Sequence, residues 1–587
     1  MGLIGARFSS LPNRFLPNTK AVCVALCASL VAACQSAGGL SGYNPAQFGA
    51  ASPLSDYLAA QQARLDNNTQ LAADFYLAAL ASAPENNPLL RERAYQLLIS
   101  DGRFRQAATL QDNLQRGSLA FSLSRMVIVL DHIRANRYDA ALEALDQVNG
   151  TGFDLLLKPL ARAWSHAGRG DQDAAFEALS VLSRQRAFTG FFLEHKAYLN
   201  AYFDKWDVAE SAFAAGLANG RQISSRAVRD YAGRLCVRGE RDRAIEVLEQ
   251  VLKQAPQLNE LKTASDTLKS GGDISPVVLK PRDGVAEALY RTATELVRKP
   301  TASSAVLYAR LATYLQPRLD AAYILIADIY GVQGRLEAAL DTIEMLRDNE
   351  RMNTVRTLRS VNYLDRLDRR DEAQALLIDA LASSPEDRTL RIALADLYRR
   401  TEQFEAAITF YDMVIAEDDK ADWTLFYGRG IAQEQSGHFA SAEADLRQAL
   451  ELRPNDPYIL NYLGYSLLDR GLKEEEAQQM IDTAVSARPN DGFIVDSQGW
   501  AAYHRGDYDA AVELLERAVS LQPGDPTIND HLGDAYWKTG RVIEARFKWQ
   551  QVLTMEPTTI QEETITTKLD LGLTLAESTN TDLPTIE

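Results

Sequence analysis

Apolar residues along most of this chain recur at intervals of three and four, around a set of fourteen alanines. Four residues after the alanine a large apolar residue follows in twelve cases, and seven residues after it a small or aliphatic residue follows in all. Spacing of four and then three places side chains on one face of an α-helix, so each alanine is predicted to lie in an amphipathic helix. The alanines are Ala72, Ala107, Ala141, Ala175, Ala209, Ala244, Ala305, Ala339, Ala373, Ala407, Ala442, Ala477, Ala511 and Ala545.

These alanines are almost evenly spaced. Of the thirteen steps between them, eight are 34 residues, four are 35 and one is 61. Five residues before the alanine, Gly, Asn or Asp occurs eleven times, as at Asn136 and Gly506, and these residues tolerate the left-handed backbone that ends a helix. Twelve residues after it, proline occurs eight times, as at Pro256 and Pro489, and stops the helix. Each unit is therefore predicted to be two helices joined by a tight turn.

The best-preserved units resemble the tetratricopeptide repeat. Residues 463–465 read Leu-Gly-Tyr, residues 499–500 read Gly-Trp, and residues 532–536 read Leu-Gly-Asp-Ala-Tyr, each followed by the turn glycine, the alanine and the proline. The resemblance covers about residues 53–558 and is weakest over 88–190. A helical hairpin repeated every 34 residues is typical of this family. The resemblance implies an all-α fold, a right-handed α-α superhelix of about 14 helical hairpins with one continuous core.

The longest step, from Ala244 to Ala305, exceeds one repeat by 27 residues. We interpret the excess as a loop or insertion at 257–284, either a hinge or docking loop or a passive disordered segment. It separates a predicted N-terminal arm of about six units, 53–256, from a C-terminal arm of about eight units, 285–558.

The end of the chain departs from the repeat pattern. Residues 559–575 are predicted to form a capping helix with Ile560, Ile565, Leu569 and either Leu571 or Leu573 facing the last unit, since a repeat array needs a polar outer cap. The last residues, 576–587, are polar and predicted to be a disordered tail.

The start of the chain has the pattern of an export signal. Three basic residues precede an uncharged apolar run at 21–33, which is short for a membrane span and ends in small residues. Residues 1–33 are therefore predicted to be a signal peptide. In one alternative, cleavage near Ala33 leaves Cys34 without a role.

Residues 30–34, Leu-Val-Ala-Ala-Cys, resemble the bacterial lipobox. The resemblance implies a lipoprotein signal peptide, with Cys34 as the lipidated N-terminus of the mature chain. Gln35 follows the cysteine in place of an aspartate, which favours the outer membrane. Residues 34–52 are rich in small residues and are predicted to be a flexible tether. Cys236 would then be the one other cysteine of the mature chain, and we interpret it as a structural thiol.

The composition and motifs of the sequence limit the partners and the reactions that can be expected of the chain. The formal net charge is −17, which keeps an elongated protein in solution and repels phosphate backbones, so no nucleic-acid partner is expected. The six histidines fall in separate units, and no phosphate-binding loop, paired-cysteine motif or His-Glu-x-x-His motif is present. We therefore predict no catalytic residues, no metal and no cofactor. The many carboxylates on amphipathic helices are typical of solvated faces.

By the family resemblance, the first helix of each unit lines a concave groove. In the last four units the outward positions of these helices carry aromatic, amide and acidic side chains, which suit an extended peptide. Acids dominate, so a basic or neutral partner is favoured. The rings of Trp500 and Trp537 either pack between units or face the groove. The candidate partner-binding residues are Tyr427, Tyr458, Asn461, Tyr465, Asp496, Trp500, Tyr503, His504, Asp530, Asp534 and Trp537.

The sequence thus predicts a non-catalytic protein-binding scaffold or adaptor, anchored by lipid in the bacterial outer membrane and facing the periplasm. Its layout resembles lipoprotein adaptors that partner processing proteases and recruit cell-wall hydrolases, which implies envelope proteins or an assembly complex as partners. Three alternatives stay open: an envelope assembly or export accessory lipoprotein, a cytoplasmic regulatory scaffold with a misread N-terminus, and an enzyme with a site in the groove. The oligomeric state is left open as well.

Overall fold

The computed structural model describes residues 52–66, 68–82, 87–148, 154–218, 223–297, 301–347, 350–417, 421–555 and 557–573. The predicted signal peptide, Cys34, the predicted tether up to residue 51 and the predicted tail lie outside the described residues. Within these residues the chain forms α-helices and short 3₁₀ turns and no β-strand, which confirms the predicted all-α fold. They divide into two compact units, one within Met1–Val285 and one within Ala286–Glu587.

The described part of the first unit consists of successive helical hairpins followed by a single helix. Its helices are α1 (Pro53–Leu65), α2 (Thr69–Ser82), α3 (Pro88–Ser100), α4 (Phe104–Ala108), α5 (Leu119–Arg134), α6 (Tyr138–Asp146), α7 (Asp154–Gly168), α8 (Gln172–Ser180), α9 (Thr189–Tyr202), α10 (Trp206–Ala218), α11 (Ser225–Val237), α12 (Arg241–Gln254) and α13 (Asn259–Lys269). The next helix, α14 (Pro281–Glu295), includes the boundary between the units.

The second unit continues with regular hairpins and ends in a single helix. Its helices are α15 (Ala302–Leu315), α16 (Asp320–Val332), α17 (Leu336–Ile343), α18 (Glu350–Arg366), α19 (Arg370–Ser383), α20 (Arg388–Arg400), α21 (Phe404–Ala416), α22 (Trp423–Gln435), α23 (Phe439–Leu452), α24 (Pro457–Asp469), α25 (Glu474–Ala487), α26 (Gly492–His504), α27 (Tyr508–Leu521), α28 (Pro526–Lys538), α29 (Val542–Val552) and α30 (Thr559–Leu571).

The fourteen repeated alanines lie at the helix crossings of this architecture. Each is in a helix and at most 2% exposed. The large side chains four residues later are also buried, for example Leu515 and Trp549 at 0%. In the facing first helix a Cβ at Gly499 would lie 2.7 Å from the Leu515 side chain, so only glycine permits this approach. The small residues therefore set the distance between the helices of a hairpin.

The turns between the two helices of a hairpin have the left-handed backbone that the sequence predicts. Gly239 and Gly506 have φ of 81° and 78°, and Asn136 has φ of 58°. Glu402 occupies the same repeat position with φ of 59°, although the sequence pattern there lacks Gly, Asn or Asp. The neighbouring hairpin packing thus holds a left-handed turn even where the residue disfavours it.

Aspartates begin many of the first helices. The carboxylates of Asp456, Asp491 and Asp525 accept hydrogen bonds from backbone N–H groups two or three residues later. These N–H groups have no partner within the helix, so the carboxylate satisfies them and also stabilises the positive end of the helix dipole. At these three boundaries a proline two residues earlier ends one helix and the aspartate begins the next.

The region of weakest resemblance, 88–190, is also the least regular. There α4 has 5 residues and α6 and α8 have 9 each, whereas α25 and α27 have 14. Short 3₁₀ turns follow α4 and α8. The missing prolines of these units coincide with second helices that end early.

Two helices, α13 and α30, do not belong to the repeated hairpins. The predicted loop at 257–284 contains α13, whose Leu261, Ala264 and Leu268 are buried and whose contacts are with α11 and α12. Their spacing of three and four marks one helix face, which explains the difference from the predicted loop. At the far end α30 begins with a capping box, and Leu573 is buried at 2% whereas Leu571 is 48% exposed.

Candidate functional site

Equivalent positions on successive first helices lie side by side in the second unit, because α24 contacts α26 and α26 contacts α28. One position carries Tyr465, Trp500 and Asp534, and it directly follows the small residue that packs on the second helix. Four residues earlier, one helical turn away, the chain carries Asn461, Asp496 and Asp530. We call these two rows of side chains the first-helix columns.

Aromatic rings from three first helices meet at these columns. The indole of Trp500 stacks on the imidazole of His531, with centroids 3.9 Å apart and planes 14° apart. It also stacks on the phenol of Tyr503 at 4.6 Å and contacts the His504 ring edge-on at 5.2 Å. Tyr465 lies 6.4 Å from His531. We call these five residues the aromatic cluster, and it brings together four of the predicted candidates.

An ion pair holds the cluster in place. Asp496 is 6% exposed, and its carboxylate oxygens lie 3.0 Å from Nδ1 of His531. Burial disfavours the imidazolium, but the hydrogen-bonded Asp496 outweighs it, with help from Asp530 and Asp534, and raises the pKa of His531 above its ordinary value. The Trp500 ring therefore rests on a ring that favours its cationic form, a geometry with cation–π attraction.

The surroundings of the cluster are acidic. Burial raises the pKa of the Tyr465 phenol, and four carboxylates raise it further by disfavouring the phenolate. These carboxylates are Asp469, Asp496, Glu434 and Asp530. Asp496 contacts His531 and Asp530 contacts Lys568, so the negative charge that remains for a partner comes from Asp469 and Glu434.

The last helix, α30, covers the end of the columns. The ammonium of Lys568 lies 2.7 Å from Asp530 and 2.8 Å from Asp534, and Lys568 is 7% exposed. Asp534 also accepts a hydrogen bond from the Trp549 indole N–H at 3.0 Å. Burial, followed by the neighbouring Asp530, raises the pKa of Asp534 to about 7 although Lys568 opposes them. These two predicted groove aspartates therefore bind the chain's own lysine.

The remaining candidates are dispersed. The Trp537 and Trp549 ring centroids lie 5.4 Å apart. A Cβ at Gly572 would lie 2.6 Å from the Trp537 ring, so the Trp537 indole belongs to the packing beneath α30. Tyr427 packs edge-on against Tyr462 at 6.1 Å. Of the two alternatives for Trp537, the structure favours packing between helices.

The other two candidates lie one hairpin earlier in the second unit. Tyr458 is 47% exposed, and the Arg488 guanidinium lies 5.9 Å from its ring. Asn461 is partly buried, and its amide oxygen has no hydrogen-bond partner among the described residues. These side chains extend the candidate surface toward α24 but do not join the aromatic cluster.

Two residues of the site were not predicted from the sequence. His531 was interpreted as one of several scattered histidines, and Lys568 was not considered. A signal for His531 exists, because it follows Asp496 by 35 residues, close to one repeat, and so faces it from the next first helix. Lys568 lies outside the repeat pattern, so no spacing argument could have found it.

Across the described residues, no group of three or more His, Cys, Asp or Glu side chains has a metal-binding arrangement. In the same residues, no helix combines the length and apolar character that crossing a membrane requires. Among the described residues of the first unit, Cys236 carries a free thiol that is partly buried, and burial raises its pKa.

Known families match the second unit. Residues 367–428 and 427–492 match models of families described as tetratricopeptide repeat, and residues 499–540 match one described as TPR repeat.

Known proteins share parts of this pattern. A TPR repeat-containing protein of Pseudomonas aeruginosa is 28% identical over 179 residues, which span 30% of this chain and 30% of that protein. Protein O-mannosyl-transferase TMTC1 of Homo sapiens is 25% identical over 186 residues, 31% of this chain and 21% of that protein. The crystal structure of the APC/C hetero-tetramer Cut9-Hcn1 aligns with 89% of this chain and 96% of that chain, at 16% identity and a TM-score of 0.36. The chain thus matches less than a third of either relative's length, and it contains tetratricopeptide repeats, which the family models place within residues 367–540.

Proposed function

We propose that this protein is a non-catalytic adaptor of the bacterial envelope, carried on the outer membrane by lipid at Cys34 and facing the periplasm. Tetratricopeptide repeats are a scaffold for protein–protein interaction, which supports the adaptor part of the proposal. The export pattern at 1–33 and the lipobox resemblance at 30–34 support the location.

The partner site in this proposal is the aromatic cluster, and the observation that carries it is the acidic field around half-buried rings. Rings of Trp500 and Tyr503 offer apolar area at low entropic cost, while the exposed Asp469 acts electrostatically on Tyr465 and His504 of the same cluster. A partner segment with a Lys or Arg next to an apolar residue satisfies both features. Envelope proteins such as a processing protease, a cell-wall hydrolase or an assembly complex are the partner classes, and nucleic acid is not among them.

The location is tested with a Cys34→Ser variant. Because lipid at this cysteine is the proposed anchor, the variant should leave the membrane fraction, whereas the unchanged chain stays with outer membranes. Cell fractionation measures this. A Cys236→Ser variant is the matched control and should remain in the membrane. Equal membrane association of the Cys34→Ser variant and the unchanged chain would contradict the anchor.

The site is tested by crosslinked capture from membranes. Combined Tyr465→Ala and Trp500→Ala substitutions remove two rings of the cluster and should eliminate partners captured by the unchanged chain. The Phe547→Ala variant, which changes a 61% exposed ring on a second helix, should capture the same partners. Circular dichroism confirms that both variants remain helical. An unchanged set of captured proteins in the double variant would reject the site.

A further inference from the structure

In the first unit, the first-helix face of α11 is covered by another segment of the chain. Residues 273–280, which we call the strap, form neither helix nor strand and run between α13 and α14. They cross α11 at Arg229, Asp230, Gly233 and Arg234. Gly233 precedes the buried alanine of its hairpin by 11 residues, as Trp500 does in the second unit. The strap therefore lies on the first-helix column of α11.

The strap backbone is recognised by buried charge. Asp230 is 0% exposed, and one of its carboxylate oxygens accepts hydrogen bonds from the N–H groups of Val277 at 2.7 Å and Val278 at 2.9 Å. Arg234 pairs with Asp230 at 2.5 Å and donates to the Val278 carbonyl at 2.6 Å. Hydrogen bonds to a buried ion are strong and are costly to leave unmade. Asp230 and Arg234 therefore bind the strap through its main chain.

Shape and apolar burial complete the fit. A Cβ at Gly233 would lie 2.8 Å from the backbone of Ser275 and Pro276, so the glycine admits the strap. Ile274 and Val278, four residues apart, are 4% and 1% exposed, whereas Leu279 is 60% exposed. The strap thus has two aliphatic anchors and two backbone N–H groups after a proline, and these are the features that the α11 face selects.

We propose that the α11 face is a binding site for peptide segments that adopt the strap's conformation, and that the chain occupies it with its own strap. A partner segment binds there by displacing the strap, and it carries the same chemistry: two aliphatic residues four apart and a proline before two free N–H groups. This site is independent of the adaptor surface proposed for the second unit, so its failure leaves that proposal standing.

The test uses the full-length chain and a fluorescein-labelled peptide with the sequence of residues 272–281, Gly-Asp-Ile-Ser-Pro-Val-Val-Leu-Lys-Pro. Val277→Pro with Val278→Pro removes both N–H donors to Asp230 and should free the face. Fluorescence anisotropy should show that this variant binds the peptide at least about tenfold more tightly than the unchanged chain does. The matched control, Leu279→Ala, alters an exposed strap residue and should behave as the unchanged chain.

Adding Asp230→Ala to the proline variant should weaken peptide binding by at least about tenfold, because the carboxylate that receives the backbone is gone. No binding to a proline variant whose circular dichroism remains helical would overturn the proposal. Binding that is equal in all variants, with or without Asp230, would also overturn it.

A second measurement keeps the proposal testable if the proline variant fails to fold. In the unchanged chain, saturating unlabelled peptide should displace the strap and accelerate hydrogen exchange of the Val277 and Val278 amides by at least about tenfold, because their acceptor Asp230 is taken by the peptide. A peptide with Val278→Asp should leave exchange unchanged. Equal exchange with and without the native peptide would contradict a displaceable strap.

Discussion

Gly233 in α11 and Trp500 in α26 occupy the same repeat position, yet their surroundings are opposite. At Gly233 the missing side chain lets the backbone of residues 275–276 approach, and Asp230 binds the strap's N–H groups. At Trp500 the indole itself fills the space and stacks on His531 from the next first helix. One first helix is therefore covered by main chain and the other by side chains.

The comparison shows which repeat positions are free to vary. The buried alanines and the large apolar residues that follow them are the same in both units because they hold each hairpin together. The first-helix column is not fixed by the alanine packing, so it carries glycine at position 233 and tryptophan at position 500. What differs is the surface offered to a partner, which in the second unit is aromatic and acidic.

The largest predicted effect concerns the ion pairs of Lys568 with Asp530 and Asp534, at the end of the first-helix columns. Lys568→Met leaves the buried Asp534 and the partly buried Asp530 without their cation, and should lower the free energy of unfolding by about 3 to 5 kcal/mol at neutral pH. Urea denaturation measures this. Lys548→Met, which loses one hydrogen bond to Asn529, is the matched control and should cost about 1 kcal/mol. Equal losses of stability in the two variants would mean that the ion pairs of Lys568 contribute no more than a single hydrogen bond.

The reciprocal changes at the shared position come next. Trp500→Ala removes the indole from the stack with His531 and should destabilise the second unit by about 2 to 4 kcal/mol, less than for a fully buried tryptophan because the ring is partly exposed. The Phe547→Ala control should stay within about 0.5 kcal/mol. Hydrogen exchange of the α26 amides reports the change locally. If the α26 amides exchanged at the same rate in Trp500→Ala and Phe547→Ala, the Trp500 ring would not stabilise the second unit.

Gly233→Trp transfers the second unit's residue into the first unit. The new side chain meets the strap backbone, so the strap should detach and stability should fall by about 1 to 3 kcal/mol. Proteolysis between residues 273 and 280 should become faster. Val237→Trp, at a 74% exposed position on the same helix, should leave the cleavage rate unchanged. If the strap of the Gly233→Trp variant were cleaved no faster than in the unchanged chain, the space at position 233 would not be what distinguishes it from position 500.

The smallest expected effect is pH dependence confined to the second unit. The pKa of His531 is raised in the folded chain above its ordinary value of 6.5, so its contribution is complete below about pH 6.5 and declines as pH rises through the folded value. Unfolding by urea at pH 6 and at pH 8 should therefore show less stability at pH 8, on the order of 1 kcal/mol. Asp534, whose pKa is raised to about 7, also lowers stability as pH rises over this range, so Asp496→Asn should reduce the difference without removing it. An unchanged difference in Asp496→Asn would show that His531 does not contribute to it.

Much of the fold could be predicted from local spacing. The buried alanines, the left-handed turns and the stopping prolines repeat every 34 or 35 residues, and each acts through contacts within its own hairpin. The helix α13 was taken for loop because the 34-residue period has no place for it, although its apolar residues follow helical spacing. Periodicity identifies repeated elements and is silent about single ones.

The site was only partly predictable. The columns that carry Tyr465, Asp496 and Trp500 follow from the repeat, and the structure brings these three residues together. That Asp530 and Asp534 face Lys568 could not be predicted, because the lysine comes from a helix outside the repeat. Ring orientation likewise depends on the neighbouring helix, so the alternatives for Trp537 could be separated only by the contacts of Trp549 and Gly572.

The sequence by itself determined the helical hairpins, their length and the residues that join them, because those depend on interactions between residues close along the chain. Only the tertiary structure decided which first-helix faces are open and which are covered. The strap meets Asp230 from 47 residues away, and Lys568 meets Asp534 from 34 residues away. Such pairings depend on the packing of whole helices, which no local pattern encodes.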